Sequence, residues 1–575
     1  MASPAKSPPL PAGATANGVD TTPSTTTLHP SSNTDNLTDK DVEPLPVPDS
    51  SSDSEPDPDN EHPLHAQPSN TSFIWPSESM SFPREVCFII LVCMAQFSTQ
   101  FAMGGTINIL HVIGASYSIT SPGKLSWLVA GYSLTVGTFI LFSGRLGDAF
   151  GYKKMLLIGY AWFSLWSMVA GVSVYSDYVL HVFARVLQGI GPAICLPNAL
   201  AIFGATYPPG HRKAMVFSIF GATAPGGGVV GMLWSAGMAE LWWPWAFWGL
   251  SIGLAGTAVA AWFVIPAPPQ KMRLEAGNWR EVVVELDLPG AVTGVLALVL
   301  INFAWNQAPI TGWSNAAVIA TLVLGSAFVA AFFWIEIKVA KRPLLPMEAF
   351  NAEVGFVLAV VSCGWATFGI WFFYTYQIVQ QIHGIQPLLT VAWFSPVAVF
   401  GAIAAVATGY LLGPARVSPA VVMTLALAAF TVGIVLIATI PVDQTYWAQL
   451  FVCLIIIPFG MDMSFPAATI ILSDAVKKEH QGIAASLVNT VVNYSISLGL
   501  GFAGTVEVNV NNGGRTKEDM MKGFRGALYI GVGLSGLGLV LCGAFLLKTY
   551  WHKEKKGDRE EAAETVEGRE KETRA

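Results

Sequence analysis

The chain has 575 residues, of which 53% are hydrophobic and only 12% charged. Soluble domains carry roughly 25% charged residues, so lipid rather than water is the expected solvent for most of this chain. The formal charge of -7 belongs to one end: residues 1–83 hold twelve Asp/Glu against Lys6 and Lys40, and the slightly basic remainder has no basic face to suggest nucleic acid as a partner.

Residues 1–85 are rich in Pro, Ser, Thr and Asp and too poor in apolar side chains to offset chain entropy. They are expected to form a disordered acidic cytoplasmic tail. A membrane span needs about twenty mainly apolar residues, and fourteen candidates follow in chain order. They lie near 86–108, 125–143, 155–174, 179–202, 214–236, 245–265, 288–306, 314–336, 354–378, 388–412, 418–440, 447–470, 483–506 and 526–547. The expected organisation is an N-terminal six-helix bundle over 86–265, a cytoplasmic linker over 266–286 and two additional spans within 287–337. A cytoplasmic loop over 338–353, a C-terminal six-helix bundle over 354–547 and a charged cytoplasmic tail over 548–575 complete it. Asn302 and Asn306 interrupt the seventh apolar run.

Charge orients the set. With a cytoplasmic N-terminus, the inner loops hold fourteen Lys/Arg and the outer loops five, as the positive-inside rule requires. Trp242, Trp243, Trp245 and Trp248 then fall at the outer water–lipid boundary, where aromatic rings concentrate. The acceptor patterns at Asn36 and Asn70 are expected to stay unglycosylated in a cytoplasmic tail. All six cysteines lie inside apolar segments without a metal-ligand spacing, so neither disulfides nor a metal site is expected.

The halves echo one another. Pro197-Asn198 precedes His211 by the same interval that separates Pro466-Ala467 from His480, and Gly144-Arg145-Leu146 is matched by Gly409-Tyr410-Leu411. Two related bundles suit rocking about a site at their interface.

Four groups of residues carry chemistry. Between spans two and three runs Gly144-Arg145-Leu146-Gly147-Asp148-Ala149-Phe150-Gly151-Tyr152-Lys153-Lys154. Its glycines allow a tight turn, and its charges form a candidate latch between conformations. Arg185 and Gln188, followed by Gly189, lie in span four, where a lone Arg costs roughly 2.5–3.5 kcal/mol on insertion scales and must face a partner or a water-filled cavity. Span five carries Pro225, Gly226, Gly227, Gly228 and Gly231, suited to bending and close helix packing. Asp462, deep in span twelve, is the candidate titrating group, whereas Glu507 falls near the outer end of span thirteen and is expected to be solvated. Gln96 and Gln100 on span one and Asn489 and Asn493 on span thirteen recur at helical spacing and are candidate lining for a substrate cavity.

The loop over 144–154 resembles the signature of the major facilitator superfamily, G-x-L-x-D-x-x-G-[RK]-[RK], with Tyr152 at the first basic position. Arg185-Val186-Leu187-Gln188-Gly189 resembles its R-x-x-Q-G element, in which the Arg is associated with proton coupling. The Gly/Pro run of span five resembles the antiporter signature in part, with Ala224 before Pro225. With fourteen spans, the chain is similar to the fourteen-span drug:proton antiporter family. Residues 96–100 and 125–139 resemble its fungal aminotriazole- and boron-resistance branch.

That resemblance implies a major facilitator fold and a transporter rather than an enzyme. The implied activity is proton-coupled efflux of a small molecule across the plasma membrane, or alternatively the vacuolar membrane, by a monomer without a cofactor. No P-loop suggests ATP-driven pumping. Uptake of a small polar solute such as ammonium or borate is the second reading, kept open because no Asp stands in span one. A transporter-like sensor is the third.

Overall fold

The computed structural model describes residues 75–208, 210–266, 279–345, 351–476 and 481–574. The expected acidic tail up to residue 74 with Asn36 and Asn70, most of the 266–286 linker, and His480 of the internal repeat lie outside the described residues.

Helices are the dominant element because in hydrocarbon each backbone N–H and C=O must find its partner within its own segment. The first bundle comprises α1 (Phe82–Asn108), α3 (Pro122–Phe150), α4 (Tyr152–Val172), the pair α5 (Tyr178–Gln188) and α6 (Ile190–Thr206), α7 (His211–Leu241) and α8 (Pro244–Val264), with the short α2 (Leu110–Ser116) outside α1. A short α9 (Trp279–Glu285) leads into the central hairpin, α10 (Leu288–Thr311) and α11 (Ala316–Lys338). The second bundle comprises α12 (Ala352–Gln377), α13 (Pro387–Leu412), α14 (Pro419–Ala438), α15 (Gln449–Ala475), α16 (Gln481–Val510) and α17 (Lys517–Arg574). Fourteen of these helical segments, α5 and α6 counting as one, are long and apolar enough to cross a membrane. Instead of ending near residue 547, α17 continues to Arg574 through a stretch rich in Glu, Lys, Arg and Ala, residues of high helix propensity.

Helices α3 and α16 meet where Gly137 has no side chain: a Cβ there would stand 2.7 Å from the Tyr494 nitrogen and 3.2 Å from the Asn493 Cβ. On the other flank α7 packs against α13. The central hairpin leans on the first seam, with α10 touching both α3 and α16. Asn302 and Asn306 therefore face protein: Ser497 donates to Asn302 Oδ1 at 2.8 Å, and Asn306 Nδ2 donates to the Ser497 carbonyl at 3.1 Å. Large apolar side chains such as Trp262, Phe263, Val406 and Val540 cover the perimeter, as contact with acyl chains requires.

Candidate functional site

The glycine-rich signature is mostly helical. Gly144 to Phe150 form the last two turns of α3, and only Gly151 makes the turn, with φ +99°. Gly147 serves close approach instead: a Cβ there would lie 1.9 Å from Asn198 Oδ1. Asp148 accepts from the Tyr152 hydroxyl one turn on, Lys153 donates to the Trp262 carbonyl at 2.7 Å, and Lys154 is exposed. Arg145 reaches out of its bundle to the chain after α11, donating to the carbonyls of Arg342 and Pro343. Asp287 and Glu336, both buried, converge beside it: a Cβ on Gly290 would lie 2.3 Å from Asp287 Oδ2 and 2.8 Å from Glu336 Oε1. The candidate latch therefore involves the central hairpin.

Arg185 is fully buried. Its Nε donates to the Leu128 carbonyl at 3.0 Å, one terminal nitrogen donates to Gln188, and its guanidinium lies 4.4 Å from the centroid of the Tyr132 ring. Gln188 in turn donates to Ser167 at 2.7 Å. Gly189, between α5 and α6, lets this node close: a Cβ there would lie 2.2 Å from Thr135 Oγ1. The second terminal nitrogen of Arg185 has no partner, so a buried cation is held by carbonyl, amide and ring.

Pro225 to Gly231 divide by direction. Gly227 and Gly231 face α1, where a Cβ on either would lie 2.3 Å from the Phe97 or Phe101 carbonyl oxygen respectively. A Cβ on Gly226 or Gly228 would meet nothing within 4 Å, although the Gly228 carbonyl lies against Gly104. Pro225 points to the second bundle: its Cβ and Asp462 Oδ2 lie 3.7 Å and 3.1 Å from the point that a Cβ on Gly401 would occupy. Asp462 thus sits where α7, α13 and α15 meet, with Oδ2 buried and without a hydrogen-bond partner. It belongs to the opposite bundle from Arg185. Gln96 and Gln100 are half-buried on α1, and Asn493 faces α3 while donating to the Asn489 carbonyl at 3.0 Å.

Several buried polar groups escaped the sequence reading. Glu507 is not solvated but 2% exposed, accepting from the Tyr374 hydroxyl at 2.8 Å, because α12 and the start of α17 cover it. Glu85 accepts from Tyr207 at 2.9 Å and pairs with Arg212, tying α1 to the chain after α6. Burial, then Glu85 beside it, pushes the Tyr207 phenol upward. A charge within an apolar run was the available signal for Glu336, and Asp287 three residues before Gly290 offered another. The cluster of Asn108, His111, Gln377, Gln380 and Gln381, at the α2 end of the bundles, carries no sequence signature.

A polytopic helical protein of two packed bundles, apolar at its perimeter and with polar groups buried between its helices, is an integral-membrane transporter in architecture. Its sequence matches the model of the Major Facilitator Superfamily over residues 92–500 and again over 415–572, and the chain belongs to that family. It is 50% identical over 473 residues to the low affinity ammonium transporter of Saccharomyces cerevisiae, covering 82% of this chain and 90% of that one. The efflux pump terG of Aspergillus terreus is 41% identical, with 84% and 90% covered, and the aminotriazole resistance protein of S. cerevisiae is 38% identical, with 81% and 85% covered. Among solved structures, a POT family transporter in complex with thioalcohol conjugated peptide shares the fold at a TM-score of 0.60 and 14% identity, covering 81% and 96%.

Proposed function

We propose that this transporter exports a small molecule, such as a drug, toxic solute or fungal secondary metabolite, in exchange for protons. It does so as a monomer in the plasma membrane, by alternating access. The observation that carries the reading is Asp462, a carboxylate at the α7–α13 seam with one oxygen buried and unpartnered. A proton neutralises such a group and lowers the cost of burying it. Because the neighbouring Pro225 belongs to the other bundle, gain or loss of that proton biases how the bundles close. Arg185 and Gln188 complete the coupling machinery in the first bundle, Gln96, Gln100, Asn489 and Asn493 line the path, and the Arg145 contacts act as the cytoplasmic latch. The names of the efflux pump and the aminotriazole resistance protein support the export direction.

A second reading, uptake of a small polar solute such as ammonium or borate, is favoured by the 50% identical ammonium transporter. Flux in proteoliposomes under an imposed pH gradient, with ammonium, borate, aminotriazole and a panel of fungal metabolites, separates the two. Export against a substrate gradient that stops when the pH gradient is collapsed is expected; flux indifferent to that gradient refutes proton coupling.

A further inference from the structure

Three hydrogen bonds that cross directly from one bundle to the other lie together at the outer end. Gln380 Nε2 donates to the Asn108 carbonyl at 2.8 Å, the Gln381 amide faces His111 Nδ1 at 3.0 Å, and the Tyr376 hydroxyl meets the Met232 sulfur at 3.0 Å. Asn108 also donates to the Met232 carbonyl at 3.0 Å, so α1, α2 and α7 present one joined face to the end of α12. There the chain widens into a π-turn over Ile378–Ile382, closed by the His383 nitrogen on the Ile378 carbonyl at 3.1 Å. Such turns recur at functional positions, and this one turns two successive glutamines toward the partner bundle.

The face is polar but uncharged, and it is under-satisfied. His111 Nε2, Asn108 Oδ1 and both amide atoms of Gln377, which lies beside His111, are buried without hydrogen-bond partners. The groups facing the imidazole come from α12 and its π-turn, Gln377 and Gln381. Among the charges at this end, Lys517 donates to the Ile382 carbonyl of the π-turn at 2.8 Å and, with Asp443, acts on His383, while Asp177 acts on Tyr117.

We propose that His111 is the outer proton-binding site of the carrier: a proton arriving from outside breaks the seal between α2 and the α12 π-turn and admits the outward-open state. The inference rests on the proton-coupled reading above. In the closed gate, burial pulls the imidazole down from 6.5 to about 4. Once the gate parts, water restores the ordinary value. The closed state therefore loses ground as pH falls below 6.5, and it stops losing ground near 4, where the closed form also takes the proton. Between about pH 7.5 and about pH 5 this difference shifts the open-to-closed ratio roughly thirty-fold.

The test places spin labels at Thr120→Cys and Gln386→Cys, exposed outer positions in the two halves, on full-length protein carrying Cys87→Ser and held in nanodiscs. No substrate or gradient is present. The population with the longer inter-label distance is expected to rise on acidification by up to that factor. All the proteins compared also carry Asp462→Asn, which removes the other proton site invoked for bundle closure; on that background His111→Gln stays within about twofold, while His383→Gln responds like the parent. His111→Asn is measured in parallel, so that misfolding of one variant leaves the other. A pH response retained without His111, or absent in the parent, overturns the assignment. If the gate opens with acid but flux ignores a pH gradient, the coupling reading alone fails; if flux follows the gradient while the gate ignores pH, this one alone fails.

Discussion

The seam between α1 and α7 permits a test within one helix. Gly231→Ala places a Cβ 2.3 Å from the Phe101 carbonyl oxygen and 2.7 Å from its Cα, while Gly226→Ala places one in open space. An ordinary carbon–oxygen contact needs about 1 Å more than the first of these, and the clash is with backbone, which no rotamer change relieves. The helices must part by roughly that amount, at about 1–3 kcal/mol for an overpacked position. The neighbouring Gly104–Gly228 approach, at 2.5 Å from an added Cβ to the carbonyl oxygen, would open with it. Fluorescence-detected melting of the detergent-purified protein is expected to show a clear fall for G231A and none for G226A, with transport reduced only in the first. Equal melting temperatures for both variants would refute the claim that these glycines exist for α1–α7 contact.

Asp462→Asn, which keeps the shape and removes the titration, is expected to abolish proton-driven accumulation in proteoliposomes while leaving substrate exchange near the parent rate; unchanged accumulation argues against the residue. Arg185→Gln leaves the Leu128 carbonyl and Gln188 without their cation, and is expected to reduce both modes of transport. Gly290→Ala drives a Cβ into Asp287 Oδ2 and Glu336 Oε1, and should loosen the central hairpin at a cost of about 1–3 kcal/mol, read as faster proteolysis of the 338–345 segment. Glu507→Gln keeps an acceptor for the Tyr374 hydroxyl and is expected to be tolerated, whereas Glu507→Leu strands that hydroxyl and costs about 1–3 kcal/mol by melting.

The spans were legible because a bilayer demands long apolar runs, and those runs survive interruption. Asn302 and Asn306 looked like breaks in α10, yet they are the groups that fasten it to Ser497, a partner on α16 that no local window contains. Arg185 could be recognised as costly and Gln188 as its neighbour one turn on, but Ser167 and the Leu128 carbonyl come from other helices. Glu507 was misread for the same reason: depth along a helix was visible, and the cover supplied by Tyr374 was not. Within the signature over 144–154, the partners of Arg145 could not be read locally, because they lie on chain beyond residue 340. Pattern thus located the solvent of each segment, and the pairing of inward groups came only with the three-dimensional arrangement.

The central hairpin makes the two flanks of the carrier unequal. Where α3 meets α16, α10 lies across both, with Trp305 edge-on to Phe502 at 4.4 Å and Phe303 against Trp127 at 5.6 Å. That side is boarded over. Among the described residues the hairpin does not pack on the opposite side, where α7 runs along α13 past Pro225, Gly401 and Asp462. Any change in how the two bundles close is therefore braced by the hairpin along one seam, and not along the seam that carries the carboxylate.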